Sequence, residues 1–224
     1  MDSYERAKFI IAVMLMGIAG CVDAIGLLRF RHVFVSFMSG DSTQIAVALG
    51  GGTWTEARFP AAIVALFLAG VVAGRILSHL SRVWHQPLIL FVEAVLLLLA
   101  ALVLQTRWAV MVPIALAMGL QSAAMHRVGQ MRVHLTYVTG TLVSFAEKLT
   151  DAFVMGGTER WQWLPYLLQW TGLVVGAVLG ALAYRAWRIE ALLAPAAVLA
   201  ALVVITFVSS RADVGQIERL GGRA

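Results

Sequence analysis

Eight apolar runs, each parted from the next by a short polar link, leave this chain few ways to fold. The runs are Phe9–Leu28, Val33–Leu49, Pro60–Leu80, Leu88–Leu104, Trp108–Met125, Leu135–Val154, Leu164–Ala186 and Leu192–Val208. Six of them reach or approach the roughly 20 residues that an α-helix needs to cross a bilayer. The other two are mixed. Val33–Leu49 is broken by Ser39, Gly40, Asp41, Ser42 and Thr43, and Leu135–Val154 by Thr139, Gly140, Thr141, Glu147, Lys148 and Asp151. So many polar side chains make poor lipid-facing spans. With 61% hydrophobic residues, 13% charged residues and a mean hydropathy of +0.86, the chain lacks the polar surface to cover itself in water. Disorder, a coiled coil and an ordinary water-soluble enzyme are excluded on that ground. The expected fold is all-α: a multi-pass transmembrane helix bundle forming a single membrane domain over 1–224, with a polar tail at 210–224.

The net charge of +5 comes from 17 Lys and Arg scattered singly and in pairs between the apolar runs. That distribution sets topology and meets anionic headgroups; it does not build a nucleic-acid surface. The lone Cys21 excludes an intramolecular disulfide and any CxxC site. His32, His79, His85, His126 and His134 fall in connecting segments without metal-ligand spacing, so neither metal nor cofactor is expected. Trp54, Trp84, Trp108, Trp161, Trp163 and Trp187 lie at or near run ends, as an interfacial aromatic belt requires.

The two halves resemble each other. Gly20-Cys21-Val22-Asp23-Ala24 matches Gly119-Leu120-Gln121-Ser122-Ala123 at an offset of 99. Phe37-Met38-Ser39-Gly40-Asp41 matches Tyr137-Val138-Thr139-Gly140-Thr141 at an offset of 100, and Gly70–Gly74 matches Gly176–Gly180 at an offset of 106. The matches occur in one order with slowly growing offsets, which predicts a duplication: repeat 1 over about 9–105 and repeat 2 over about 108–209. If both mixed runs span, each half has four helices and the repeats are parallel. If neither crosses, each half has three spans plus one broken or re-entrant segment, and the repeats are inverted. Positive charge favours the second arrangement. With six spans and the N-terminus inside, 11 of the 17 Lys and Arg fall inside, whereas eight spans give no bias.

Several residues could carry chemistry. Asp23 sits deep in the first run, where a lipid-facing carboxylate costs at least about 2.5–3.5 kcal/mol. It must face protein, pair or protonate, and it is a candidate proton or cation ligand; the plainer reading puts it near the headgroups beside Arg29 or Arg31. Ser39-Gly40-Asp41 and Thr139-Gly140-Thr141 are expected to break the chain and cap the half-helices Ser42–Leu49 and Leu142–Val154. A helix N-terminus aimed inward offers free donors to a solute. Gln121 and Ser122 adjoin these sites through the duplication. Glu93 lies early in its span and joins the candidates. Glu147 is expected in a surface ion-pair group with Lys148 and Asp151. Gly70, Gly74, Gly176 and Gly180 form two GxxxG patterns that predict close helix crossings. Ile18-Ala19-Gly20-Cys21 looks like a lipoprotein cleavage box, but cleavage there would remove most of a span that the second half retains.

Gly20-x-x-Asp23-Ala24-Ile25-Gly26, Phe34–Asp41, Ala117–Ala123 and Thr136–Leu142 together resemble the YoaK-like family of bacterial multi-pass membrane proteins, over nearly the whole chain. The resemblance implies fold kinship and a place in the bacterial inner membrane, and it supplies no substrate, because the family is a domain of unknown function. The family's first-half motif usually reads Thr-Gly-Asn where this chain has Ser39-Gly40-Asp41, and Ser122 stands where Asn usually follows the Gln.

The expected function is a small secondary transporter or exporter of an unidentified small solute, with a midplane site at the two broken segments. Its partners are the lipid bilayer and that solute, with proton or cation coupling. The alternative is a non-transporting membrane scaffold, sensor or assembly partner. No enzyme activity is expected. Both termini are expected on the cytoplasmic side, and two small halves leave room for a homodimer.

Overall fold

A computed structural model describes residues 3–30, 33–80, 84–102, 106–124, 138–155 and 161–221. They form α1 (Ser3–Phe30), α2 (Met38–Gly50), α3 (Trp54–Leu80), α4 (His85–Leu102), α5 (Arg107–Ala124), α6 (Val138–Phe153), α7 (Leu164–Trp187) and α8 (Leu193–Gly221), with a 3-10 turn at Arg188–Leu192 and no strand among the described residues. Four stretches, 5–30, 54–80, 85–102 and 164–209, are long and apolar enough to cross a membrane. The last holds both α7 and α8, bent apart where Arg188 takes a positive φ of 51°. α5, at 18 residues, is about 27 Å long, close to the hydrocarbon thickness. The outer surface is apolar. Leu68, Val72 and Ile76 on α3, and Val175, Val178 and Leu182 on α7, are half or more exposed, as lipid-facing residues are. The fold is an all-α multi-pass transmembrane bundle.

Contacts at the helix ends fix directions. At the end of α1, the Phe30 ring lies 5.6 Å from that of Phe59, near the start of α3. The Phe30 carbonyl accepts from Arg107 at the start of α5, at 2.7 Å. The Arg107 guanidinium also sits 3.8 Å over the Phe59 ring, and Trp108 packs edge-on against Phe59 at 4.8 Å. Toward the other end, Gln121 Nε2 donates to the Leu15 carbonyl at 3.0 Å. α1 and α5 therefore run antiparallel, and α3 starts where α1 ends. Trp84 stacks on Phe207 at 4.8 Å, which sets α4 and α8 antiparallel as well.

Two helix pairs approach backbone to backbone. α7 packs along α1 in parallel: Gly172 faces Val13, Gly176 faces Gly17 and Gly180 faces Cys21. α3 packs along α5 in parallel: Gly70 faces Leu116 and Gly119, and Gly74 faces Leu120 and Ala123. A Cβ at Gly20 would drive into the Leu173 carbonyl, and one at Gly119 into the Phe67 carbonyl. The four residues are related by the offsets of 99 and 106 that relate the sequence halves. Only glycine permits such proximity, and the gain is dispersion contact in a medium that supplies no hydrophobic drive between helices.

The sequence expectation placed the chain breaks at Ser39-Gly40-Asp41 and Thr139-Gly140-Thr141. The structure moves the first break upstream. α2 begins at Met38, four residues before the expected Ser42, and its N-cap is Phe37, without a side-chain cap bond. α6 begins at Val138, four residues before Leu142. The Ser-Gly-Asp and Thr-Gly-Thr triplets thus form first turns of helices. Non-helical backbone instead occupies Val33–Phe37, where Asp23 and Asp41 accept from the amides of Phe34, Val35 and Ser36. Its second-half counterpart falls in 125–137, outside the described residues, as do His32, His126 and His134.

Candidate functional site

The site begins with a carboxylate that organises a loop. Val33–Phe37 turns back along α1, and two aspartates collect its successive amides. Val35 N donates to Asp23 Oδ1 at 2.8 Å and Ser36 N to the same oxygen at 2.9 Å. The Ser36 hydroxyl donates to Asp23 Oδ2. Phe34 N donates to Asp41 Oδ1 at 3.1 Å, and Gln44 Nε2 approaches that oxygen at 3.5 Å. Asp23, Ser36 and Asp41 are all buried. Three loop amides that would be orphaned inside the bundle gain charge-assisted partners, and each carboxylate gains donors in place of water. Asp23 therefore stands in protein, away from the headgroup position beside Arg29.

Gly40 completes the packing, because a Cβ there would stand only 3.1 Å from the Phe34 ring. α2 then runs away from this cluster. The Gly51–Thr53 turn, closed by Thr53 N donating to the Ala48 carbonyl at 2.9 Å, delivers the chain to the start of α3 beside Phe30. The segment thus leaves the end of α1, reaches in as far as Asp23, and returns to the same end of the bundle. A cleft of about 430 Å³ opens along the α2 face between Thr43, Gln44, Val47, Thr53 and Glu56. It leads from that end to Gln44, which adjoins Asp41.

The depth of the cluster follows from the antiparallel register of α1 and α5. Residues related by the offset of 99 come level near Ala19 and Met118. Asp23 stands about 6 Å beyond that level, and Ser122 about 6 Å on the other side, at 1.5 Å per residue. The start of α2 is therefore near the middle of the bundle.

The second half repeats the frame with other chemistry. From 38 to 47 and from 138 to 147 the pattern of buried, half-buried and exposed residues is the same at every position. Ser39 and Thr139 are exposed, and Asp41 and Thr141 are the buried members. Ser122, which matches Asp23, donates to the Met118 carbonyl of its own helix at 3.0 Å.

Among the described residues, four buried acceptor atoms have no hydrogen-bond partner: Asp41 Oδ2, Gln121 Oε1 and both carboxylate oxygens of Glu93. Asp41 and Gln121 lie on opposite sides of the level point, and Glu93 lies on α4, away from both triplets. The surface group departs from expectation in one member. Lys148 and Asp151 pair at 3.2 Å, while Glu147 is exposed and outside that pair. Sequence reasoning passed over Ser36, Gln44 and the buried Gln169 of α7. Ser36 had a usable signal: a hydroxyl residue at the point where a mixed run must pass a buried aspartate. No group of three or more His, Cys, Asp or Glu that could hold a metal occurs among the described residues.

Residues 11–205 match the model of a family described as "Protein of unknown function (DUF1275)". The chain is similar to UPF0700 transmembrane protein RA0705 of Rhizobium meliloti (strain 1021), 36% identical over 170 residues that cover 75% of this chain and 72% of that one. It is also similar to UPF0700 transmembrane protein YoaK of Bacillus subtilis (strain 168), 26% identical over 177 residues that cover 74% and 79% of the two chains. No solved structure matches.

Proposed function

We propose that this chain, which belongs to the DUF1275 family of transmembrane proteins, is a small secondary transporter built from two inverted repeats. In this reading α1, α3, α4, α5, α7 and α8 cross the bacterial inner membrane with both termini cytoplasmic. α2 and α6 are re-entrant half-helices that enter from opposite faces. One observation carries it: sequence-equivalent α1 and α5 run antiparallel, while the half-helix that follows α1 starts near the bundle's middle and returns to the face it left. Paired half-helices at matching places in two inverted halves are the arrangement in which transporters hold solute at the midplane.

The open atoms define the solute by chemistry. Asp41 Oδ2 and Gln121 Oε1 are acceptors, so a solute that donates hydrogen bonds, an amine, polyol or cation, fits better than an anion. Asp23 holds the loop that presents Asp41, and its own oxygens are taken by Val35 and Ser36. The cleft beside Gln44 gives access from one face.

Sidedness tests this. With Cys21 replaced, single cysteines at Thr53 and Met155 are labelled by an impermeant maleimide in intact cells and in inverted vesicles. Inverted repeats put the two positions on opposite faces, each labelling in one preparation only. Labelling of both from one face would overturn the inverted architecture and, with it, the transport reading.

A further inference from the structure

Among the described residues, Glu93 is the one buried acidic side chain that the loop architecture does not use. It is fully buried, and neither carboxylate oxygen has a hydrogen-bond donor. It shares the α4 face of Leu90, Leu97 and Ala100, which belong to the main apolar core together with Met118 of α5 and Leu199 of α8. Its depth is central. Ile89 packs with Leu120 of α5, so Glu93, one turn on along an antiparallel neighbour, comes level with about Leu116, close to the Met118 level where the halves match. α4 packs on α5 and α8, and the antiparallel α4–α8 pair joins the last helix of one half to the last helix of the other.

The charged groups around it lie elsewhere. On α5 the ionisable group is Arg107, at the far end and bonded to Phe30. α8 carries no ionisable side chain from 193 to 209. On α3, Glu56, Arg58, Arg75 and His79 are exposed, as are Arg188 and Glu190 of the 3-10 turn. On α4 itself His85 lies two turns toward the other end. A carboxylate in that setting, with neither counter-ion nor donor, is stable only as the neutral acid. A metal cation would need further ligands, and the described residues offer no such set.

We propose that Glu93 is a proton-binding site at the junction of the two halves, protonated in this packing and ionised when a rearrangement of α4 against α5 and α8 lets water reach it. The step is one proton released from Glu93 to water and one regained, with no other bond changed. Resting on the transport reading, this makes the proton the coupling ion and Glu93, rather than Asp23, its carrier. A purely structural Glu93 would keep its proton in every state.

Two measurements on the purified full chain in phosphatidylethanolamine–phosphatidylglycerol vesicles test it. Infrared spectroscopy in light and heavy water should show the carbonyl stretch of a buried carboxylic acid at neutral pH, absent in Glu93→Gln. Gln is isosteric with the protonated acid, and a monodisperse elution profile confirms that the variant folds. Single cysteines at Thr43 and Val143, one on each half-helix face, should change their relative labelling rates as pH rises. Glu93→Gln should abolish that change. A carboxylic-acid band undiminished in Glu93→Gln, or a pH response that survives it, overturns the proposal; any band left by Asp23 or Asp41 is common to both proteins. The band reads Glu93 whatever the sidedness of Thr53 and Met155, so the two readings fail separately.

Discussion

The α2 and α6 regions share a frame and differ in charge. α2 and α6 start four residues ahead of where their polar triplets suggest, and over their first ten residues they share one pattern of burial. Asp23 and Asp41 nevertheless face Ser122 and Thr141 as their counterparts. A hydroxyl satisfies itself locally, as Ser122 does on the Met118 carbonyl, whereas a buried carboxylate must recruit donors from elsewhere. The charged half therefore binds its own loop into the bundle. The difference teaches that backbone geometry and site chemistry can differ independently between two similar segments, since glycine contacts hold the first and a few side chains hold the second.

The largest expected effect strikes the shared frame. Gly20→Ala and Gly119→Ala each place a Cβ on the backbone of the facing helix, so α1–α7 or α3–α5 must separate along its length. Both variants should lose monodisperse folded protein in detergent, and to a similar degree. Gly50→Ala meets nothing within 4 Å and should be neutral or slightly stabilising through helix propensity. If Gly119→Ala folded normally while Gly20→Ala did not, the two crossings would not be equivalent.

Next comes the charge that separates the halves. Asp23→Ala leaves two buried amides and the Ser36 hydroxyl without an acceptor, at about 1–3 kcal/mol for each. A large fall in thermal stability should follow, along with protease sensitivity near 31–37. Asp23→Asn keeps an acceptor oxygen for both amides, and the Ser36 hydroxyl can turn to accept, so about 1 kcal/mol should be lost. Ser122→Ala, the matching change in the other half, removes only a bond within one helix and should cost less than either. An Asp23→Ala protein as stable as Asp23→Asn would show that Asp23 does not hold the loop.

Much of this frame was legible in the sequence. Gly70, Gly74, Gly176 and Gly180 stood out because small residues at fixed spacing are how membrane helices approach, and a Cβ at each would meet the facing helix; Gly20 and Gly119, equally close to their neighbours, were visible only as members of the repeated pattern. Asp23 stood out because a carboxylate amid Phe9–Leu28 needs a reason. The reason was not legible. Phe34 and Val35 reach the aspartates through backbone amides, which every residue carries, so no residue type marks them; only the Ser36 hydroxyl left a trace in the sequence. The helix starts were misplaced for a related cause. Ser, Gly and Asp suit helix caps by propensity, but the Asp41 carboxylate accepts from the Phe34 amide instead, and Phe37 takes the cap position of α2 without a side-chain bond. Glu93 was visible as an acid in an apolar run. That its oxygens lack donors is a property of the α4–α5–α8 junction, and no single run shows it.

The smallest expected effect lies on the second half-helix. Lys148 and Asp151 form an i,i+3 pair at 3.2 Å on α6, and both side chains are more than a third exposed. The matching stretch at the end of α2 and its cap, Ala48 to Gly51, has no charge. If the pair were what compensates the second half for lacking a buried carboxylate, Asp151→Ala would be as damaging as Asp23→Ala. Solvent and headgroup screening argue otherwise, because exposed pairs of this kind are worth about 0.3–0.5 kcal/mol. Asp151→Ala should therefore leave the melting temperature in detergent nearly unchanged, and added salt should erase what difference remains. A loss comparable to that of Asp23→Ala would mean that α6 is held by charge after all, and that the two halves differ in where their charge sits rather than in whether they need it.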